Sequence, residues 1–131
     1  MRDILVFDCS GSMTGGYSGK SPLEKLLDHA VATYPPDTPW LCVAMRKLHR
    51  GRLADAKDVL DIMGGPSEIL EGMDLAFAPG TRPILCTDDG DDLSPVAELA
   101  SGREMGVIMA CYDPNGVRRN ADRRLGHITY I

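Results

Sequence analysis

Short apolar runs alternate with amphipathic stretches along this chain. Ile4–Phe7 and Ile84–Cys86 are continuous apolar runs, the pattern of strands covered on both faces. Trp40–Met45, Gly106–Tyr112 and His127–Ile131 have the same character. Arg50-Gly51 turn the Trp40–Met45 strand into a short antiparallel edge strand. Between the runs, Leu23, Leu26, Leu27, Ala30, Val31 and Tyr34 fall on one face at helical spacing. That helix opens with a capping box from Ser21 to Glu24, has Pro22 at its first position, and stops at Pro35-Pro36. Leu53, Ala56, Leu60 and Met63 predict a second helix ended by Gly64-Gly65. Ile69, Leu70, Met73, Ala76 and Phe77 predict a third, ended near Pro79-Gly80. A short helix follows Ser94-Pro95 and carries Val96 and Leu99; the last, with Val117, Ala121 and Leu125, follows the turn Asp113–Gly116.

Strands alternating with helices predict an α/β fold of three layers, α/β/α. Its sheet is mainly parallel and doubly wound, Rossmann-like, with one antiparallel edge strand. The whole span, 1–131, reads as a single domain long enough to bury a core. In such sheets a ligand sits beyond the carboxyl ends of the strands, where the strand order reverses. The loops that follow Phe7 and Cys86 are therefore the ones to inspect.

Composition narrows the partners. Of 131 residues, 44% are hydrophobic and 25% charged, and the formal net charge is −5. That balance argues against a general nucleic-acid binder. Basic residues gather in Arg46, Lys47, Arg50 and Arg52, and again in Arg118, Arg119, Arg123 and Arg124. Each group reads as a solvated face, with an anionic docking surface as the alternative. No apolar run approaches the length of a membrane span, and Met1-Arg2-Asp3 leads straight into a strand without signal-peptide architecture. Cys9, Cys42, Cys86 and Cys111 lie in or beside apolar runs without CxxC spacing. They read as buried free thiols in a reducing compartment, and the expected location is cytoplasmic.

The first strand runs into Asp8-Cys9-Ser10-Gly11-Ser12-Met13, a carboxylate and two hydroxyls at alternate positions. Such oxygens are hard ligands suited to Mg²⁺ or Ca²⁺ rather than zinc, and Gly11 gives the loop freedom to curl. The later loop reads Thr87-Asp88-Asp89-Gly90-Asp91-Asp92, with Asp88 just beyond its strand. Ser67, between Pro66 and the third helix, brings a further hydroxyl; its plain structural role would be the N-cap of that helix.

These three loops together resemble the von Willebrand factor A (VWA, integrin I-like) domain family with its metal-ion-dependent adhesion site (MIDAS). The likeness is carried by Asp8–Met13 as a D-x-S-x-S loop, by Gly64–Ile69 where the family often has Gly-Gly-Thr, and by Leu85–Asp88 where it commonly has Leu-Thr-Asp-Gly. A bare DxSxS arises by chance in roughly one chain in thirty of this length. Strand context and two further loops in order make the match far more specific. The resemblance implies a metal site of Asp8, Ser10, Ser12, Ser67 and Asp88. In it, Ser10 and Ser12 bind the ion directly and Ser67 binds directly or through water. Asp8 and Asp88 hold coordinated waters. It also implies Mg²⁺, with Mn²⁺ or Ca²⁺ as alternatives, an open coordination position, and a protein partner that donates an Asp or Glu carboxylate. The chain departs from the family pattern at Ser67, which stands in for a threonine and is displaced by Pro66, and at Asp89, an additional acid.

The expected function is a divalent-metal-dependent protein-binding module without enzymatic activity, a monomer or part of a larger complex. One alternative is a structural or assembly component with a vestigial metal site. A second is a P-loop-like nucleotide hydrolase built on Ser18-Gly19-Lys20-Ser21, but the glycine that a P-loop needs falls at Thr14, and Gly15-Gly16 are out of register. A dehalogenase-like phosphatase would need a second acid where Ser10 stands.

Overall fold

A computed structural model describes residues 1–13, 21–61, 68–88, 93–110 and 123–131, with the backbone alone at residues 12, 58–61 and 123. Its strands are β1 (Arg2–Phe7), β2 (Pro39–Ala44), β3 (Lys47–Arg52), β4 (Thr81–Asp88), β5 (Gly106–Ala110) and β6 (His127–Tyr130). Its helices are α1 (Pro22–Thr33), α2 (Ile69–Ala76) and α3 (Ser94–Ala100), and 3₁₀ segments occupy Gly11–Met13, Leu53–Asp61 and Arg123–Leu125.

The strands form one sheet in the order β3-β2-β1-β4-β5-β6. All neighbours are parallel except β2 and β3, which form an antiparallel hairpin at one edge. The expected α/β class, doubly wound sheet and antiparallel edge strand are all present, but the hairpin turns at Met45-Arg46, and Arg50 and Gly51 lie within β3 rather than at a turn. After β1 the chain moves outward to β2 and β3, then returns to the other side of β1 as β4. The order therefore reverses between β1 and β4, and their carboxyl ends define the crevice where such folds place ligands.

Alternation along β1 and β4 feeds two cores. Leu5, Phe7, Ile84 and Cys86 pack with Leu23, Leu26 and Ala30 of α1 and with Leu53 and Ala56. Val6 and Leu85 face the opposite layer, with Ile69, Met73 and Ala76 of α2 and Val96, Ala97 and Ala100 of α3. Helix α2 comes close to the sheet at Gly72, where a Cβ would stand 3.2 Å from Val6 Cγ1. Local signals explain α1 well: Ser21 Oγ accepts the Glu24 N–H at 3.3 Å, and Pro22 occupies the first turn.

Several expectations need correction. The second predicted helix is a 3₁₀ segment, tied at its start by Leu53 N–H to Thr38 O at 2.9 Å and Ala54 N–H to Pro36 O at 2.9 Å. The three-residue spacing of Leu53 and Ala56 suits a threefold helix as well as an α-helix, so periodicity alone did not separate them. The residue capping α2 is Glu68, without a side-chain capping bond; Ser67, the expected N-cap, lies outside the described residues. Strand β4 is longer than Ile84–Cys86 because Arg2–Ile4 pair with Thr81–Pro83. Pro83 is tolerated there because β5 joins the ladder only from Ile84 onward, leaving β4 a single strand neighbour at that level. Of the last predicted helix only Arg123–Leu125 falls within the described residues, as a 3₁₀ turn.

Candidate functional site

Asp8 is the first residue after β1, and its N–H donates to Cys86 O at 2.9 Å, prolonging the β1–β4 ladder by one step. Its carboxylate is buried, 1% exposed. One oxygen, Oδ1, accepts the Ser10 N–H at 2.9 Å, curling the chain back toward its own strand end. The other, Oδ2, accepts the hydroxyl of Thr87 at 2.8 Å. A short 3₁₀ turn, Gly11–Met13, follows, closed by Met13 N–H to Ser10 O at 3.1 Å. Met13 is fully buried, so the loop is pinned at both ends.

Asp88 ends β4 and is likewise 1% exposed. Its Oδ2 is buried with no hydrogen-bond donor among the described residues, while the residue makes other interactions. Ser10 is 8% exposed. Asp8, Ser10 and Asp88 thus lie at the carboxyl ends of the adjacent central strands β1 and β4. Taking carboxylates out of water is costly unless charge and hydrogen bonds compensate them. A hard dication is a compensating charge of the right sign and ligand preference.

Of the five expected ligands, the structure brings Asp8, Ser10 and Asp88 to this crevice and places Ser12 on the 3₁₀ turn beside it. Ser67 lies outside the described residues, as do Asp89, Asp91 and Asp92, the Gly15-Gly16 and Ser18–Lys20 stretches, and Cys111. Ser21 of the P-loop-like stretch is engaged as the cap of α1. Among the described residues, no group of three or more His, Cys, Asp or Glu side chains is arranged to hold a metal, so an ion here would depend on the serine hydroxyls. Thr87 was missed as a functional residue. It is fully buried and its hydroxyl holds Asp8. The available signal was a hydroxyl residue closing an otherwise apolar strand.

Three thiols lie in the core on the α1 side of the sheet. Cys9, Cys42 and Cys86 are buried and unlinked. The Cys9 thiol is pushed above its ordinary range by its hydrogen bond with Cys42, by burial, and by the charges of Cys42 and Asp8. Burial alone pushes Cys86 up. These sulfurs act as small apolar packing within that core. A groove of about 470 Å³ lies elsewhere, between α1 and the Leu53–Lys57 stretch, and neither Asp8, Ser10, Thr87 nor Asp88 lines it.

The order-reversal crevice carries the D-x-S-x-S loop after its first strand and a Thr-Asp pair at the end of the neighbouring one, and the chain has a VWA-like fold. The crystal structure of the SpRpn10 VWA domain is similar over 99% of this chain and 87% of that one, with a TM-score of 0.54 and 10% identity. No family model and no curated protein sequence matches the chain. No helix among the described residues is long and apolar enough to cross a membrane.

Proposed function

We propose that this chain is a protein-interaction module that takes up a divalent cation, Mg²⁺ first, and uses it to hold a carboxylate of a protein partner. The observation that carries the reading is the double engagement of Asp8, by the Ser10 amide and the Thr87 hydroxyl. With both oxygens committed, Asp8 shapes the loop and orients water rather than clasping an ion directly. The hydroxyls of Ser10 and Ser12 are then direct ligands, Ser67 binds directly or through water, and Asp88 completes the set through water. Neutral ligands leave most of the ion's charge uncompensated, and Mg²⁺ favours six oxygens. An Asp or Glu from a partner supplies the missing charge.

In this reading the chain performs no bond-making chemistry, works in the cytoplasm, and binds neither nucleic acid nor membrane. Mn²⁺ and Ca²⁺ remain alternatives to Mg²⁺. Affinity capture from the protein's own cell extract tests the partner half. A specific partner should be held in Mg²⁺, released by EDTA, and lost with Ser10→Ala. A partner retained equally under all three conditions would contradict the metal-bridged grip and favour a structural component with a vestigial site.

A further inference from the structure

Strand β3 forms one edge of the sheet, and β2 is its only strand neighbour among the described residues. An edge strand presents a row of N–H and C=O groups to whatever strand can approach it. Lys47, Leu48, Arg50 and Arg52 are exposed and His49 is half-buried. The register sets Leu48 opposite Val43, Arg50 opposite Leu41 and Arg52 opposite Pro39, so these three project on the α2 side of the sheet. Lys47 and His49, opposite Ala44 and Cys42, project on the other side. Both faces of the edge are therefore basic, in a chain whose net charge is −5.

Among the described residues, no ion pair within the fold engages these cations. Arg82, on β4, is clamped by Asp3 at 2.8 Å and reaches Glu104 at 3.4 Å. Among the described residues, no comparable ion pair ties Lys47, Arg50 or Arg52. Charged edges ordinarily keep strands of neighbouring molecules away. A second copy of β3 would set these cations against one another, and like charges across strands are destabilising. The same charges attract an acidic strand, and Leu48, 41% exposed, offers it an apolar contact on the Arg50 side.

We infer that the β3 edge takes an extended acidic segment of a partner protein as an additional strand, with carboxylates at alternate positions facing Arg50 and Arg52. The metal reading is not required, since no ion takes part. β-Strand addition of this kind draws affinity from backbone hydrogen bonds and selectivity from alternate side chains.

The test uses a fluorescent peptide alternating valine and glutamate, in EDTA at low salt, read by fluorescence anisotropy. It should bind the wild type and Ser10→Ala equally. Affinity should fall at least about tenfold with the double variant R50E/R52E and recover with R50K/R52K. N-methylation of alternate peptide amides should weaken binding to a similar extent, and a valine–lysine peptide should not bind. Amide exchange along β3 should slow when the acidic peptide is bound. Failure of the acidic peptide to bind, or indifference to N-methylation, would overturn the inference. Equal competition by a thymidine oligonucleotide would also overturn it, marking a general polyanion surface instead. Because Ser10→Ala leaves this binding intact, failure of the metal reading would be separately visible.

Discussion

The hydroxyl of Thr87 donates to Oδ2 of Asp8 at 2.8 Å across 79 residues of sequence, joining the ends of the two central strands. This bond puts the first loop and the end of β4 in one structural unit. Its removal should be felt in both stability and ion binding. Thr87→Val keeps the shape and removes the donor, and it should cost about 1–3 kcal/mol in urea unfolding because a buried carboxylate oxygen loses its partner. Thr87→Ser should recover most of that loss. Equal stability of the valine variant and wild type would show that the bond does not hold the loop.

Much of this arrangement was legible beforehand, for physical reasons that differ from residue to residue. Ser21, Pro22 and Glu24 specify the start of α1 through local chemistry, so sequence sufficed. The apolar runs of β1 and β4 specify buried central strands in the same way. Thr81-Arg82-Pro83 reads as a breaker, yet it is strand because Arg2–Ile4 supply a partner that no local signal encodes. Asp8, Ser10 and Ser12 stood out as alternating oxygens, whereas Thr87 read as the first residue of the acidic loop. Its role exists only once the long-range pairing of β1 and β4 is made.

The β2–β3 hairpin turns through Met45 and Arg46, with φ values of 51° and 65°. Positive φ at both central residues suits glycine and asparagine, and other residues pay for it in steric strain. The turn is held from outside: both carboxylate oxygens of Glu68 accept the Arg46 N–H, at 3.0 and 3.1 Å. Replacing the pair by Asn-Gly (M45N/R46G) keeps that N–H and should stabilise the protein by about 1–2 kcal/mol. A thermal unfolding midpoint that stays level or falls would contradict this account of the turn.

Gly126 enters β6 with φ at +78°, and a Cβ there would lie 2.7 Å from Met105 O. Strain and collision with backbone act together, so Gly126→Ala should destabilise by about 2 kcal/mol or more. Gly72→Ala meets only the Val6 side chain, at 3.2 Å, and that contact can relax. Chemical denaturation of the two variants should rank Gly126→Ala as clearly the worse.

Alkaline pH should weaken the fold through its buried thiols. The ordinary thiol value is 9.0, and burial holds Cys86 protonated well above it. As pH rises through 9 the unfolded chain loses this proton while the folded chain keeps it, so stability is intact below that pH and declines above it. Cys9 acts in the same sense, while its bond to Cys9 shifts Cys42 downward and opposes them. In urea unfolding from pH 8 to 10.5, Cys86→Ala should show a decline shallower by up to about 1.4 kcal/mol per pH unit. Parallel curves for the variant and wild type would remove Cys86 from the explanation.

The central claim is that Asp8 organises a site for a divalent cation at the junction of β1 and β4. Titration calorimetry with Mg²⁺ tests it directly, comparing wild type with Asp8→Ala and with Arg82→Ala as a surface control. Wild type and the control should bind a single ion with matching affinity, and Asp8→Ala should show no saturable heat while its circular dichroism confirms the fold. Absence of Mg²⁺ binding by the wild type, or undiminished binding by a folded Asp8→Ala variant, would contradict the account.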